Sequence, residues 1–245
     1  MTAKSRRTPS GSTKSDLFIV LSKIEQSKPL YFRHSTVRQI VLEKGISLTA
    51  GVFSQYLAEA VDKGLIFDGG RGWYSSLKSR FVLDSKPIKP LVGVLAKAFP
   101  LLDFSCWSTE QVNPFSQHLM SGFLSFVYVD SDAIGPVSES LRDRGYLVFA
   151  DPGKAEVADS FRLEKKAVVI RKAISKQPRG SGHASPIEKI LVDLVWESRK
   201  LPGIDESEAR LICDGATAAG RVSMSELLGY AKRRTLDFSW LGTIN

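Results

Sequence analysis

Cysteine is almost missing from this 245-residue chain: Cys106 and Cys213 lie far apart and no CxxC pair exists. Histidine is as scarce, with three single residues. These counts argue against a structural zinc site and against a disulfide scaffold. No apolar run approaches the roughly 18 residues that cross a membrane. The basic N-terminus is not followed by an apolar h-region, so no secretory signal is read there, and the expected location is the cytoplasm with no membrane partner. Neither glycine-rich stretch, Gly69–Gly72 or Gly180–Gly182, is followed by Lys-Ser/Thr, which removes a P-loop. There is no internal repeat.

What is present is an ordinary globular composition, 43% hydrophobic and 24% charged, with a formal charge of +8. The length allows a real core and one or two domains. The charge is unevenly spread. Residues 1–84 carry 13 basic and 7 acidic side chains, and residues 85–245 carry 21 and 19. A third of the chain thus holds a net +6, the footprint of a polyanion partner. Residues 1–15 are expected as a disordered basic tail in which Lys4, Arg6 and Arg7 either graze nucleic acid or only solubilise.

Residues 16–84 predict a winged helix-turn-helix. Leu17, Val20, Leu21 and Ile24 have helical spacing over 16–26, and a short strand-like run follows at Leu30–Phe32. Ser35 is the expected cap of a second helix that Gly45 stops. Ser47 or Thr49 caps a third over 49–63, pinned by Phe53 and Leu57. Leu65–Phe67 and Trp73–Ser75 then flank a glycine-rich turn, as in a hairpin wing. This arrangement leaves Thr49, Ala50, Gly51, Ser54 and Gln55 on the open side of the third helix, the side that enters a major groove in this motif. Ser and Thr bond many base edges, and Gln pairs bidentately with adenine. Arg33, His34 and Arg38 flank the start of helix two, where a phosphate meets a helix N-terminus, and Arg71 sits at the wing tip. The third helix itself has no Lys or Arg between Thr49 and Asp62, so phosphate attraction is expected from its flanks.

Residues 85–245 predict a mixed α/β domain ending in a helical segment, which makes the whole chain α+β or α/β. Lys86–Pro90 reads as a linker. Helices are expected over 90–99, 108–118, 131–144 and 153–160, with strands near Phe104–Trp107, Phe123–Val129, Tyr146–Ala150 and Ala167–Arg171. Residues 176–184 read as a loop with His183 exposed. Two or three helices are expected to close the chain, over 186–199, about 205–219 and about 223–234.

Catalytic readings are weak. Asp159 with Glu164 and Lys166 loosely suggests a metal-dependent nuclease, but the ExK run precedes its strand and no PD pair stands before it. Asp130 and Asp132 lack the Gly-Ser of a nucleotidyltransferase. Cys106 with His118 is a dyad only if that Cys is not an inert core residue. Trp107 and Trp196 read as core. No catalytic residue, metal or cofactor is expected. The alternative held open is a metal-dependent nuclease or nucleotidyltransferase-related enzyme with a DNA-targeting winged helix.

Several stretches occur together in a familiar order. Trp107-Ser108-Thr109, Asn113 and Phe115 precede Phe126–Asp130, and Val148-Phe149, Pro152 and Val168–Arg171 follow. The helix with Pro186, Glu188, Lys189 and Asp193, and the helix with Tyr230-Ala231 and Arg233-Arg234, are the more specific parts. Over about 100–235 the chain resembles the AbiEi-type antitoxins of abortive-infection (type IV) toxin–antitoxin systems. That resemblance implies a non-enzymatic protein whose winged helix binds double-stranded DNA at its own promoter. It also implies that the C-terminal domain neutralises a co-transcribed nucleotidyltransferase-like toxin. Lys189, Lys232, Arg233 and Arg234 are the basic groups expected to meet an acidic or nucleic-acid surface; helix-end cations that only complement the macrodipole are the plainer reading.

Overall fold

Apolar residues repeating on one helical face draw the first three helices around a short strand. In the computed structural model of the chain, which describes residues 11–26, 30–117, 122–153, 166–202, 205–241 and 243–244, two units are distinguished. The first runs to Arg80 and includes the last residues of the chain; the second is Phe81–Leu241. The structure is of the mixed α+β kind. Among the described residues no helix is long and apolar enough to cross a membrane.

The first unit is built from α1 (Gly11–Gln26), β1 (Tyr31–Arg33), α2 (His34–Glu43), α3 (Ala50–Asp62), β2 (Phe67–Asp68) and β3 (Trp73–Ser75). Leu17, Val20 and Leu21 of α1, Val37 and Val41 of α2, and Phe53, Leu57 and Ala60 of α3 bury together with Phe32 and Ile66. Each fully buried large apolar side chain contributes roughly 1.5–3 kcal/mol, so this shared core holds the three helices. The first helix begins at Gly11, earlier than the expected residue 16, and Lys14 reaches Glu59 of α3 at 2.6 Å. Lys4, Arg6 and Arg7 lie outside the described residues, as do Lys28 and Pro29.

Helix α2 starts at His34, ahead of Ser35, and no side chain caps it. The hairpin turn supplies the partner instead: the His34 N–H donates to the Gly72 carbonyl at 3.0 Å. Gly45, at φ +75°, ends α2 in the left-handed region that favours glycine. The sheet of this unit has the order β2-β3-β1-β8, where β8 (Thr243–Ile244) joins β1 in parallel and the other pairs are antiparallel.

In the second unit the expected linker is not a linker. Lys86–Ile88 form a 3-10 turn that runs into α4 (Lys89–Ala98), with Ile88 and Leu91 buried. The strands are β4 (Ser105–Ser108), β5 (Leu124–Val129), β6 (Leu147–Ala150) and β7 (Ala167–Lys172). The expected helix over 108–118 is two 3-10 turns, Thr109–Gln111 and Asn113–Phe115. Pro114 has no N–H to continue a helix, and Ser108 and Gln111 close the first turn as a reciprocal cap. After a 3-10 turn comes α5 (Ile134–Arg142). The helix expected over 153–160 lies outside the described residues except for Gly153.

The sheet order is β4-β5-β7-β6, antiparallel between β4 and β5 and parallel elsewhere. Alternation along the strands sends Val127, Val129, Val168 and Ile170 into one cluster with Leu91 and Leu95 of α4 and Val137 and Leu141 of α5. The other face carries Phe126, Tyr128, Val169 and Arg171. There Tyr128 and Arg171 both hydrogen-bond Glu197 of α6 (Ile187–Ser198). Helix α6 is buried almost all round, flanked by α7 (Glu206–Ala219) and α8 (Met224–Arg233).

Candidate functional site

The exposed polar face of α3 lies in the first unit. Phe53, Leu57 and Ala60 hold one side of the helix in the core, which leaves Gly51, Ser54 and Gln55 exposed on the other. Thr49, rather than Ser47, is the N-cap, its hydroxyl accepting from the Val52 N–H at 3.4 Å.

Two neighbouring segments bring cations to this unit. Arg33 pairs in register with Trp73 across β1 and β3, and its guanidinium lies 4.7 Å from the Trp73 ring centroid. The turn between β2 and β3 puts Arg71 between Gly70 at φ +98° and Gly72 at φ +76°. It is closed by Gly69 N–H to the Trp73 carbonyl and by Asp68 accepting from the Gly70 N–H, at 3.0 and 2.9 Å. His34 is half-buried and meets the edge of Phe53 at 5.0 Å between centroids, so it ties the hairpin and α2 to α3. Arg33, His34 and the Arg71 turn are therefore brought together, while Arg38 is exposed on α2. An acid of α3 is also offset. Glu59 is bracketed by Lys14 at 2.6 Å and Lys63 at 3.1 Å, and those bonds hold its carboxyl below the ordinary range.

The basic residues expected on the late helices are placed differently. Lys189 and Arg234 are not surface groups. Lys189 is fully buried and pairs with Asp193 one turn along α6, with its ammonium 3.3 Å from the Tyr128 ring centroid. The other Asp193 oxygen accepts from Arg234 Nη2 at 2.9 Å and from the Tyr230 hydroxyl at 2.8 Å. Arg234 Nε donates to the same Tyr230 oxygen at 3.1 Å. Lys189, Asp193, Tyr230 and Arg234 thus form a buried ionic lock between α6 and the end of α8. Burial pushes the Lys189 ammonium down to about 8 against the pull of Asp193. Lys232 and Arg233 are exposed, Arg233 lying against the Tyr230 ring.

A second cluster adjoins the first. Glu197 accepts from Arg171 Nη2 at 2.8 Å and Nε at 3.0 Å, and from the Tyr128 hydroxyl at 3.3 Å. Arg171 also donates to the Pro152 carbonyl at 2.8 Å and pairs with Asp151 at 3.3 Å. Burial raises the Glu197 carboxyl and Arg171 opposes that rise. Trp107 is core as expected, stacked on Phe126, but Trp196 is half-buried at the edge of a cleft of about 420 Å³. Arg199 and Lys200 line the same cleft, and sequence reading missed them. Their positions three and four residues after Trp196, just past the end of α6, were the available signal.

The catalytic alternatives fare unequally. Asp159, Glu164 and His118 lie outside the described residues. Among the described residues no group of three or more His, Cys, Asp or Glu side chains could hold a metal ion. Cys106 is fully buried in β4 and burial pushes its thiol up. His183 is not loosely exposed: its ring stacks on Phe104 at 3.7 Å and Nδ1 sits 3.0 Å from the Phe104 carbonyl.

No curated protein and no solved structure matches the chain. The model of one protein family, described as "Family of unknown function (DUF6577)", matches residues 52–239. That span runs from within α3 past the end of α8, well over half of the chain. The chain therefore belongs to the DUF6577 family.

Proposed function

We propose that the first unit is a winged helix-turn-helix that binds double-stranded DNA, and that the chain is an AbiEi-type antitoxin acting in the cytoplasm. The observation that carries the DNA reading is the α3 face: Gly51, Ser54 and Gln55 exposed on a helix whose opposite side is locked into the core. Arg33 and Arg71 supply phosphate contacts from β1 and the hairpin turn, and Arg38 supplies one from α2. Ser54 and Gln55 read base edges at the chain's own promoter. The offset of Glu59 by two lysines removes a local repulsion that would oppose this docking.

The antitoxin half of the proposal rests on the residue order described for 100–235. In that reading the second unit neutralises a co-transcribed nucleotidyltransferase-like toxin, and the protein performs no catalysis of its own. With Lys189 and Arg234 buried, the contact with toxin falls to the exposed Lys232 and Arg233. The experiment is growth rescue on expression of the neighbouring toxin, by the full chain and by the chain carrying Lys232→Glu and Arg233→Glu. Rescue by the first and weakened rescue by the second is expected. A chain that binds promoter DNA but rescues nothing would leave a DNA-binding protein without the antitoxin role.

A further inference from the structure

The cleft beside Trp196 is not used by the DNA reading, and it shares only Arg234 with the buried ionic lock. It opens at the C-terminal end of β6, where the chain continues through Asp151, Pro152 and Gly153, and beside Arg171 near the end of β7. Those are parallel strands, and the crevice outside the carboxyl ends of such strands is where open α/β sheets bind ligands. Its other walls are the ends of α6 and α8, with Trp196, Lys200 and Thr235.

Three features point to an anion. The first is charge. Cations crowd the Trp196 ring, with Lys200 Nζ at 3.6 Å, the Arg234 guanidinium at 4.4 Å and that of Arg171 at 5.3 Å from its centroid. Arg171 and Arg234 are occupied by Glu197 and Asp193, but Lys200 has no carboxylate within ion-pairing distance among the described residues. The second is the proton balance of that lysine. Burial, followed by repulsion from Arg171, holds its ammonium below the ordinary lysine range, a cost that a bound anion would relieve.

The third is backbone strain. Thr235, which lines the cleft, adopts φ +57°, and Asp151, next in sequence to the lining Pro152, adopts φ +43°. Thr235 stands directly after the cap of α8, the position where glycine is the ordinary choice. A β-branched residue held there is a genuine outlier, and such strain gathers at ligand sites.

We propose that this cleft binds the phosphate of a small phosphorylated molecule, with Lys200 as its direct cation and the Thr235 hydroxyl as a hydrogen-bonding partner. The volume of about 420 Å³ falls in the range of small-molecule sites. A lysine, a hydroxyl and the backbone of Gly153 are groups that phosphate recognition uses. The site is independent of DNA binding, since every residue in it belongs to the second unit.

The test is calorimetric titration of the full chain with inorganic phosphate, ADP, adenosine and a DNA duplex. ADP and phosphate are expected to bind at one site and adenosine to bind far more weakly. Lys200→Ala should cut ADP affinity about tenfold or more, the scale of one lost hydrogen bond to a charged group. Thr235→Gly should also weaken ADP while raising or preserving the melting temperature, because it relieves the strained backbone. Duplex affinity should be unchanged in both. Absence of any ADP or phosphate binding, or ADP affinity untouched by both substitutions, would overturn the proposal. Duplex affinity that falls in Lys200→Ala, with no ADP binding, would assign the cleft to nucleic acid instead.

Discussion

Arg33, Arg38 and Arg71 of the first unit stand in solvent, whereas Arg171, Lys189 and Arg234 of the second are buried against Glu197 and Asp193. The two sets carry the same charge in opposite surroundings. A pair of unit charges 4 Å apart is worth about 1 kcal/mol in water and about 4 kcal/mol at an effective dielectric of 20. An exposed arginine therefore contributes little to stability. A buried one is committed, because leaving it unpaired costs more than the pair returns. Burial, and not charge count, decides which cations can meet a partner.

The comparison breaks most sharply at Asp193. Asp193→Ala leaves both Lys189 and Arg234 without their shared carboxylate in the interior, an expected loss of about 3–5 kcal/mol. Urea unfolding followed by tryptophan fluorescence measures it. Arg71→Ala in the first unit should change stability by less than about 0.5 kcal/mol. Equal losses from the two substitutions would erase the distinction between the units.

A pH series sharpens the same point. The folded chain holds Lys189 at about 8, below the ordinary lysine value of the unfolded chain. Between those two values the unfolded state binds the proton and the folded state does not, so stability rises with pH through that window. At lower pH the full cost of burying the charge is present. The effect is at most about tenfold in the folding equilibrium per pH unit. Lys189→Met should remove this part of the slope, and an unchanged slope in the variant would assign it to other groups.

Smaller effects belong to DNA recognition. Ser54→Ala with Gln55→Ala should cost about 1–3 kcal/mol at the preferred site and little elsewhere. Arg71→Ala should instead weaken all sequences alike and lower the salt slope by about 1. Competition binding against scrambled duplexes separates the two outcomes, and identical behaviour would mean that the exposed α3 face does not read bases. Thr49→Ala should cost least. Its cap bond is long, 3.4 Å, which places it near the lower end of the roughly 0.5–2 kcal/mol range for lost N-caps.

The local order of the first unit was legible because its apolar residues repeat at helical spacing and its glycines sit at turns. Gly45, Gly70 and Gly72 do take left-handed backbone. The β5 and β7 strands were legible as near-continuous apolar runs, since a parallel sheet covered on both faces needs no alternation. What escaped was tertiary. A surface lysine and a buried one look alike in sequence, so Lys189 was read with Lys232 and Arg233 although its partner Asp193 lies one helical turn away. Trp196 was read as core because an indole fits either role, and only the surrounding cations reveal that its ring edges a cleft. Pro114 should have broken the 108–118 helix, and the polar run around it masked that signal.

The proposed division of labour is that the first unit's exposed cations bind DNA while the second unit's cations, the exposed Lys232 and Arg233 included, do not. Its most direct test is the affinity of the full chain for duplex DNA from its own promoter across a salt series. The account predicts a linear fall of log K with log salt, about −0.9 per phosphate neutralised, that becomes shallower in Arg33→Ala with Arg71→Ala and stays unchanged in Lys232→Ala with Arg233→Ala. Affinity insensitive to salt, or a slope that follows the second pair and ignores the first, would contradict it.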